Sequence, residues 1–166
     1  MRNLVGLVLF GILAIIQSTI VSRMPLLNGT ADLILLFIIA WALQDRVDSV
    51  WLWCLFGGAF ASFYSALPLG VYLVAYFICA GIARLLKRRI WKAPFLAMLA
   101  ATFICTLIVQ LLSLAARLIT GVSIPIISSL NMIILPSLLL NLLLAFPIFT
   151  IMHDMAGWLY PEELKV

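Results

Sequence analysis

Charge is the scarcest property of this sequence. Only 10% of its 166 residues are Asp, Glu, Lys or Arg, and a single His, His153, accompanies them. A water-soluble domain needs polar side chains over much of its surface. Here 66% of residues are hydrophobic and the mean hydropathy is +1.28, which excludes that class. Lipid accepts Leu, Ile and Phe on the outside of a protein, so the chain reads as an integral membrane protein. Cysteine is also sparse. Cys54, Cys79 and Cys105 sit singly in apolar stretches without C-x-x-C spacing, which excludes a paired-cysteine zinc site or redox pair and leaves them as small packing residues. His153 has no companions at metal-ligand spacing. Neither a Ser, His and Asp set nor two carboxylates can be assembled at one membrane depth, so no enzyme, metal or cofactor is expected. The net charge of +4 is better explained by membrane topology than by nucleic acid.

What is present is a series of charge-free runs: Asn3 to Ser22, Leu33 to Gln44, Ser49 to Ala83, Ala93 to Ala116 and Leu118 to Met152. A spanning helix takes about 20 residues, with roughly 17 as the lower limit. The 35 residues from Ser49 to Ala83 therefore make two spans, with Pro68-Leu69-Gly70 as a tight turn between them. The first run exceeds a secretory signal core of roughly 7–15 apolar residues. Arg23-Met24-Pro25 after it offers no cleavage site, so it reads as a membrane helix. The second run extends back to Thr30 as helix N-cap, with Asp32 in the first turn. The expected fold is all-α, one integral membrane domain over residues 1–166. Its six helices fall at about 3–22, 30–44, 49–67, 69–86, 93–117 and 132–152, with residues 118–131 as an external connection.

Lys and Arg collect on the cytoplasmic side of membrane proteins. Six spans with the N-terminus inside place Arg2, Arg46, Arg84, Lys87, Arg88, Arg89, Lys92 and Lys165 inside, and only Arg23 and Arg117 outside. Both termini are then cytoplasmic, and Arg84 to Lys92 forms a basic cytoplasmic loop with Trp91 at the interface. That loop is either a topology determinant touching anionic lipid headgroups, each basic residue contributing about 1 kcal/mol, or a docking site for a cytoplasmic partner.

Helices in lipid associate through close backbone approach and a few polar contacts. Gly57, Ala61 and Ser65, flanked by Gly58 and Ser62, form one stripe of small residues. Ala75, Cys79 and Ala83 form a second, and Ala93, Ala97, Ala101 and Cys105 a third. Such stripes serve either packing within the chain or a groove for a partner's transmembrane helix. Gln17, Gln110 and Asn141 are the uncharged polar candidates inside the spans. Each reads as an interhelical hydrogen bond, and Gln110 and Asn141 are also candidates to line a cavity. Asn28, Gln110, Arg117 and Asn131 are the polar groups that the outer half offers a ligand. Pro136 and Pro147 fall within the sixth helix, where each removes a backbone bond and can kink it.

The order of "ADLILLFIIAWAL" (31–43), "FGGAFASFYSALPLG" (56–70), "RLLKRRIW" (84–91) and "LPSLLLNLLLAFPIF" (135–149) resembles the MreD family of bacterial rod shape-determining membrane proteins, over about Gln17 to Phe149. Asp32-Leu33 and Pro68-Leu69-Gly70 match the family pattern. Ser62 departs from it, standing where the family often has an acidic residue. The resemblance implies a six-helix fold similar to the substrate-binding subunits of energy-coupling-factor vitamin transporters, in the bacterial cytoplasmic (inner) membrane. It implies a non-catalytic scaffold of the cell-elongation machinery that binds MreC through the latter's transmembrane helix. MreB, RodA and a penicillin-binding transpeptidase would be indirect partners. The alternative is a substrate-binding membrane subunit of a small-molecule, vitamin-type transporter.

Overall fold

The computed structural model describes residues 2–19, 29–45, 47, 49–68, 70–90, 92–121 and 130–160, with side chains from residue 4. Arg23, Asn28, Arg46, Leu69, Trp91, Lys165, the side chain of Arg2 and the connection 122–129 lie outside the described residues. Among the described residues there are six α-helices: α1 (Arg2–Thr19), α2 (Leu33–Ala42), α3 (Val50–Tyr64), α4 (Val71–Arg89), α5 (Pro94–Ile119) and α6 (Leu135–Leu159). A single π-helical turn, Leu130–Ile134, leads into α6. Among the described residues two segments, Pro94–Ile119 and Leu130–Leu159, are long and apolar enough to cross a membrane.

The shortest helix is the centre. Every residue of α2 from Ile34 to Ala42 is buried, which suits a helix that is apolar on all sides and therefore needs neighbours on all sides. Trp41 stacks on Trp53 of α3 at 4.0 Å between ring centroids, and Phe10 of α1 meets Trp53 edge-on at 5.6 Å. The peripheral helices turn large apolar side chains outward, among them Leu4 and Ile15 of α1, Phe63 of α3, Leu85 of α4, Leu111 of α5 and Leu143 of α6. Such an exterior is costly in water and suited to lipid.

Small residues set the closest approaches. A Cβ on Gly57 would stand 2.8 Å from Ile38 and 3.0 Å from Ile34, both of α2. On Gly58 it would stand 2.7 Å from the Leu73 backbone of α4, and Ala61 beside them is fully buried. Of the two readings of this stripe, packing within the chain describes Gly57, Gly58 and Ala61, and α2 is the principal neighbour of Gly57. Ser62 is half-buried and donates to the Gly58 carbonyl at 2.7 Å, so its hydroxyl is used within its own helix. Ser65 caps the end of α3, its Oγ accepting from Leu67 N–H. The other two stripes face each other. Ala75, Cys79 and Ala83 of α4 and Ala97, Ala101 and Cys105 of α5 are all buried. Each of the two thiols reaches toward the other's backbone carbonyl, Cys79 Sγ at 3.8 Å and Cys105 Sγ at 3.6 Å.

Two expectations are corrected. The second helix starts at Leu33, not Thr30, and Asp32 itself is the N-cap, its carboxylate accepting from Leu35 N–H. The N–H groups of Thr30, Asp32 and Leu33 go to side chains of other helices, and residues 30–32 lie outside the helix. The basic segment is largely helix: α4 continues to Arg89 and places Lys87, Arg88 and Arg89 in its last turn, where cations complement the negative end of the helix dipole. Both prolines fall within α6 as expected, Pro136 at its start and Pro147 in its interior. The turn after α3 is closed by Val71 N–H to Pro68 O at 3.3 Å, and Gly70 takes φ +98°, a conformation that favours glycine.

Candidate functional site

Polar side chains gather at the two ends of α2. At its N-terminal end, Thr30 N–H donates to Ser137 Oγ (3.1 Å), Asp32 N–H to Asn141 Oδ1 (2.8 Å) and Leu33 N–H to Gln17 Oε1 (2.8 Å). Gln17 Nε2 returns a bond to Ala31 O at 2.7 Å, and Asn141 Nδ2 donates to Thr106 Oγ1 at 3.0 Å. The Tyr76 hydroxyl bridges both Asp32 oxygens at 3.0 and 2.9 Å. A helix start leaves N–H groups without intrahelical acceptors. Here α1, α5 and α6 supply side chains to this region, and α4 supplies the donor that holds the capping carboxylate. In an apolar surrounding each of these bonds avoids the cost of an unpaired polar group.

Beside this knot opens a cavity of about 140 Å³. Asp32 forms its acidic wall, Gln17 and Tyr64 line it from α1 and α3, Tyr72 from α4, and Gln110 and Ser113 from α5. Asn141 does not line the cavity and bonds α2 to α5 behind it. Arg117, one turn beyond Ser113 on the same face of α5, is exposed and close enough to Tyr72 to act on it electrostatically. Asn131 is exposed and does not line the cavity.

At the opposite end, Gln44 Nε2 donates to Ala40 O (3.1 Å) and its Oε1 lies 3.2 Å from His153 Nδ1. Lys87 donates to Gln44 O at 2.7 Å and pairs with Asp45 at 3.0 Å. Arg84 donates to Val47 O at 3.1 Å and lies over the Trp51 ring. A cleft of about 390 Å³ opens between Gln44, Asp45, Pro94, Phe149 and His153. Arg84 and Lys87 thus fasten α4 to the α2–α3 link, whereas Arg88, Arg89 and Lys92 are exposed.

Reading the sequence did not single out Tyr64, Tyr72, Tyr76, Thr106, Ser113, Ser137 or Gln44. One local signal was available: Tyr72 and Tyr76, and Gln110 and Ser113, are spaced to share a helix face. Among the described residues no three His, Cys, Asp or Glu side chains converge as a metal site would require.

Polar groups spent on tying helices together, beneath an exterior made for lipid, define a helical protein of the membrane-embedded class. Within that class the chain belongs to the MreD family, since the family model described as rod shape-determining protein MreD matches residues 1–155. No curated protein and no solved structure matches the chain. Family membership gives the protein a role in rod-shape determination.

Proposed function

We propose that this protein is a non-catalytic scaffold of the cell-elongation machinery. It crosses the bacterial cytoplasmic membrane six times with both termini inside, captures the transmembrane helix of MreC and helps to position peptidoglycan synthases. MreB, RodA and a penicillin-binding transpeptidase are reached indirectly. The observation that carries this reading is the division between interior and exterior. The glycine face of α3 and the small stripes of α4 and α5 are occupied within the chain, so a partner helix meets the outward apolar faces. Two further observations support the topology. The first turns of α1 lie by Trp53, with Gly6 against its ring, and Trp53 stacks on Trp41, which contacts Tyr160 just past α6. The start of α1 and the end of α6 therefore share the end of the bundle that carries Arg84 to Lys92.

Co-expression with tagged MreC and purification in detergent tests the scaffold. Stoichiometric co-purification is expected. A substitution such as Ile15→Trp, Leu85→Trp or Leu143→Trp on the contacted face should abolish it without unfolding the chain. Absence of MreC from the wild-type preparation, or retention through every outward face so changed, refutes helix capture.

The second reading, a substrate-binding subunit with a fold similar to those of energy-coupling-factor vitamin transporters, is favoured by the Asp32 cavity. Co-purification of an ATPase module in place of MreC would select it.

A further inference from the structure

Three of the chain's four tyrosines stand around one carboxylate. Tyr76 donates to Asp32, while Tyr64 and Tyr72 line the cavity into which Asp32 faces. Tyr72 and Tyr76 are one turn apart, with ring centroids 5.6 Å from each other at a tilt of 59°. Among the described residues no cation pairs with Asp32, and none of the residues lining the cavity is Lys, Arg or His. Two donors, Leu35 N–H and the Tyr76 hydroxyl, leave part of the carboxylate's accepting capacity unused, since an ionised carboxylate offers about four lone-pair sites. The rest of the wall is hydroxyl and amide: Ser113, Gln110 and Gln17.

This combination selects by charge and by size. A carboxylate flanked by aromatic rings favours an ammonium group, which gains a charge-assisted hydrogen bond from one and the negative ring faces of the others. At about 140 Å³ the space equals roughly four or five waters, enough for an aminoethyl group. Arg117 sits one helical turn above Ser113, on the α5 face that also carries Gln110. For a ligand that leaves the cavity along this face, an ammonium held at Asp32 puts an anionic substituent on the side of the Arg117 guanidinium.

We propose that the Asp32 cavity binds a small zwitterion of the aminoethyl phosphate type, with its primary ammonium on Asp32 between Tyr64 and Tyr72 and its phosphate at Arg117. The same chemistry is presented by a phosphatidylethanolamine headgroup and by free phosphoethanolamine. The site requires neither the partner helix nor a transport module, so its success or failure is independent of MreC capture.

The test uses the full chain in nanodiscs of phosphatidylglycerol alone, or with equal amounts of phosphatidylethanolamine or phosphatidylcholine, read by native mass spectrometry. A parallel titration of free phosphoethanolamine into the phosphatidylglycerol discs is read by ligand-induced thermal shift. Selective retention of phosphatidylethanolamine assigns the site to a lipid. A saturable shift with phosphoethanolamine, without lipid retention, assigns it to a soluble compound.

Asp32→Asn keeps a residue that caps helices well but removes the charge, and should weaken binding by about tenfold or more. Ser113→Leu fills the cavity without touching Asp32 and should abolish binding. Arg117→Gln should weaken phosphoethanolamine more than ethanolamine. Two results overturn the proposal. One is the absence of preference for phosphatidylethanolamine together with no response to phosphoethanolamine. The other is binding that persists unchanged in both the Asp32→Asn and Ser113→Leu proteins.

Discussion

Thr102 and Thr106 lie one turn apart on the buried face of α5 and should respond oppositely to the same change. The Thr102 hydroxyl is buried and has no hydrogen-bond partner among the described residues, whereas the Thr106 hydroxyl accepts from Asn141 Nδ2. Thr102→Val removes an unsatisfied group at nearly constant volume and should stabilise the protein by about 1 kcal/mol. Thr106→Val strands the Asn141 amide and should cost about 1–3 kcal/mol. Unfolding in mixed detergent micelles, followed by circular dichroism, measures both. The glycines make a second contrast. Gly58→Ala drives a methyl against the Leu73 backbone, which cannot move aside cheaply, and should cost about 1–3 kcal/mol. Gly81→Ala, with nothing within 4 Å of the added carbon, should stabilise α4 by about 0.4–1 kcal/mol. The sequence marks Gly58 as a small residue on a small face, but which glycines are crowded depends on neighbours far along the chain.

The α4–α5 pair is the element whose packing the sequence displays best. Matching small residues every fourth position are visible without coordinates, and the two stripes do meet. Ala101→Leu should wedge these helices apart. Cys79 and Cys105, buried between them, then become a built-in reporter: maleimide should label both much faster in the variant than in the wild type. Leu143→Ala, on the outward face of α6, should leave labelling and stability within about 0.5 kcal/mol of wild type. Other elements were less legible for identifiable reasons. Charge-free runs locate helices because lipid demands them, yet they do not locate helix ends. The start of α2 is fixed by Asn141 and Ser137, more than a hundred residues away in sequence, and no local pattern announces such contacts. The charge after residue 83 predicts a loop, because charge marks an exit from a membrane. Charge does not by itself end a helix, and α4 continues through Lys87, Arg88 and Arg89.

Across the whole molecule, Gln17, Tyr64, Tyr72 and Ser113 meet at one end of α2, and Lys87, Pro94, His153 and Tyr160 at the other, so the helices run alternately up and down. If this bundle spans the membrane with both termini inside, a cysteine placed at Arg88 or Arg89 is inaccessible to an impermeant maleimide added outside intact cells and reacts after lysis. Labelling before lysis reverses the topology. The brevity of α2 has a consequence of a different kind. Its 10 residues rise 1.5 Å each, about 15 Å in all, against a hydrocarbon layer of about 30 Å. The Asp32 cavity indents the protein at one end of this plug and the Gln44–His153 cleft at the other. Where water enters both, the membrane voltage drops across the plug alone. A potential of 100 mV, worth about 2.3 kcal/mol for each charge moved through it, then acts over half the usual distance, and the electric field along α2 is about twice that in the surrounding bilayer.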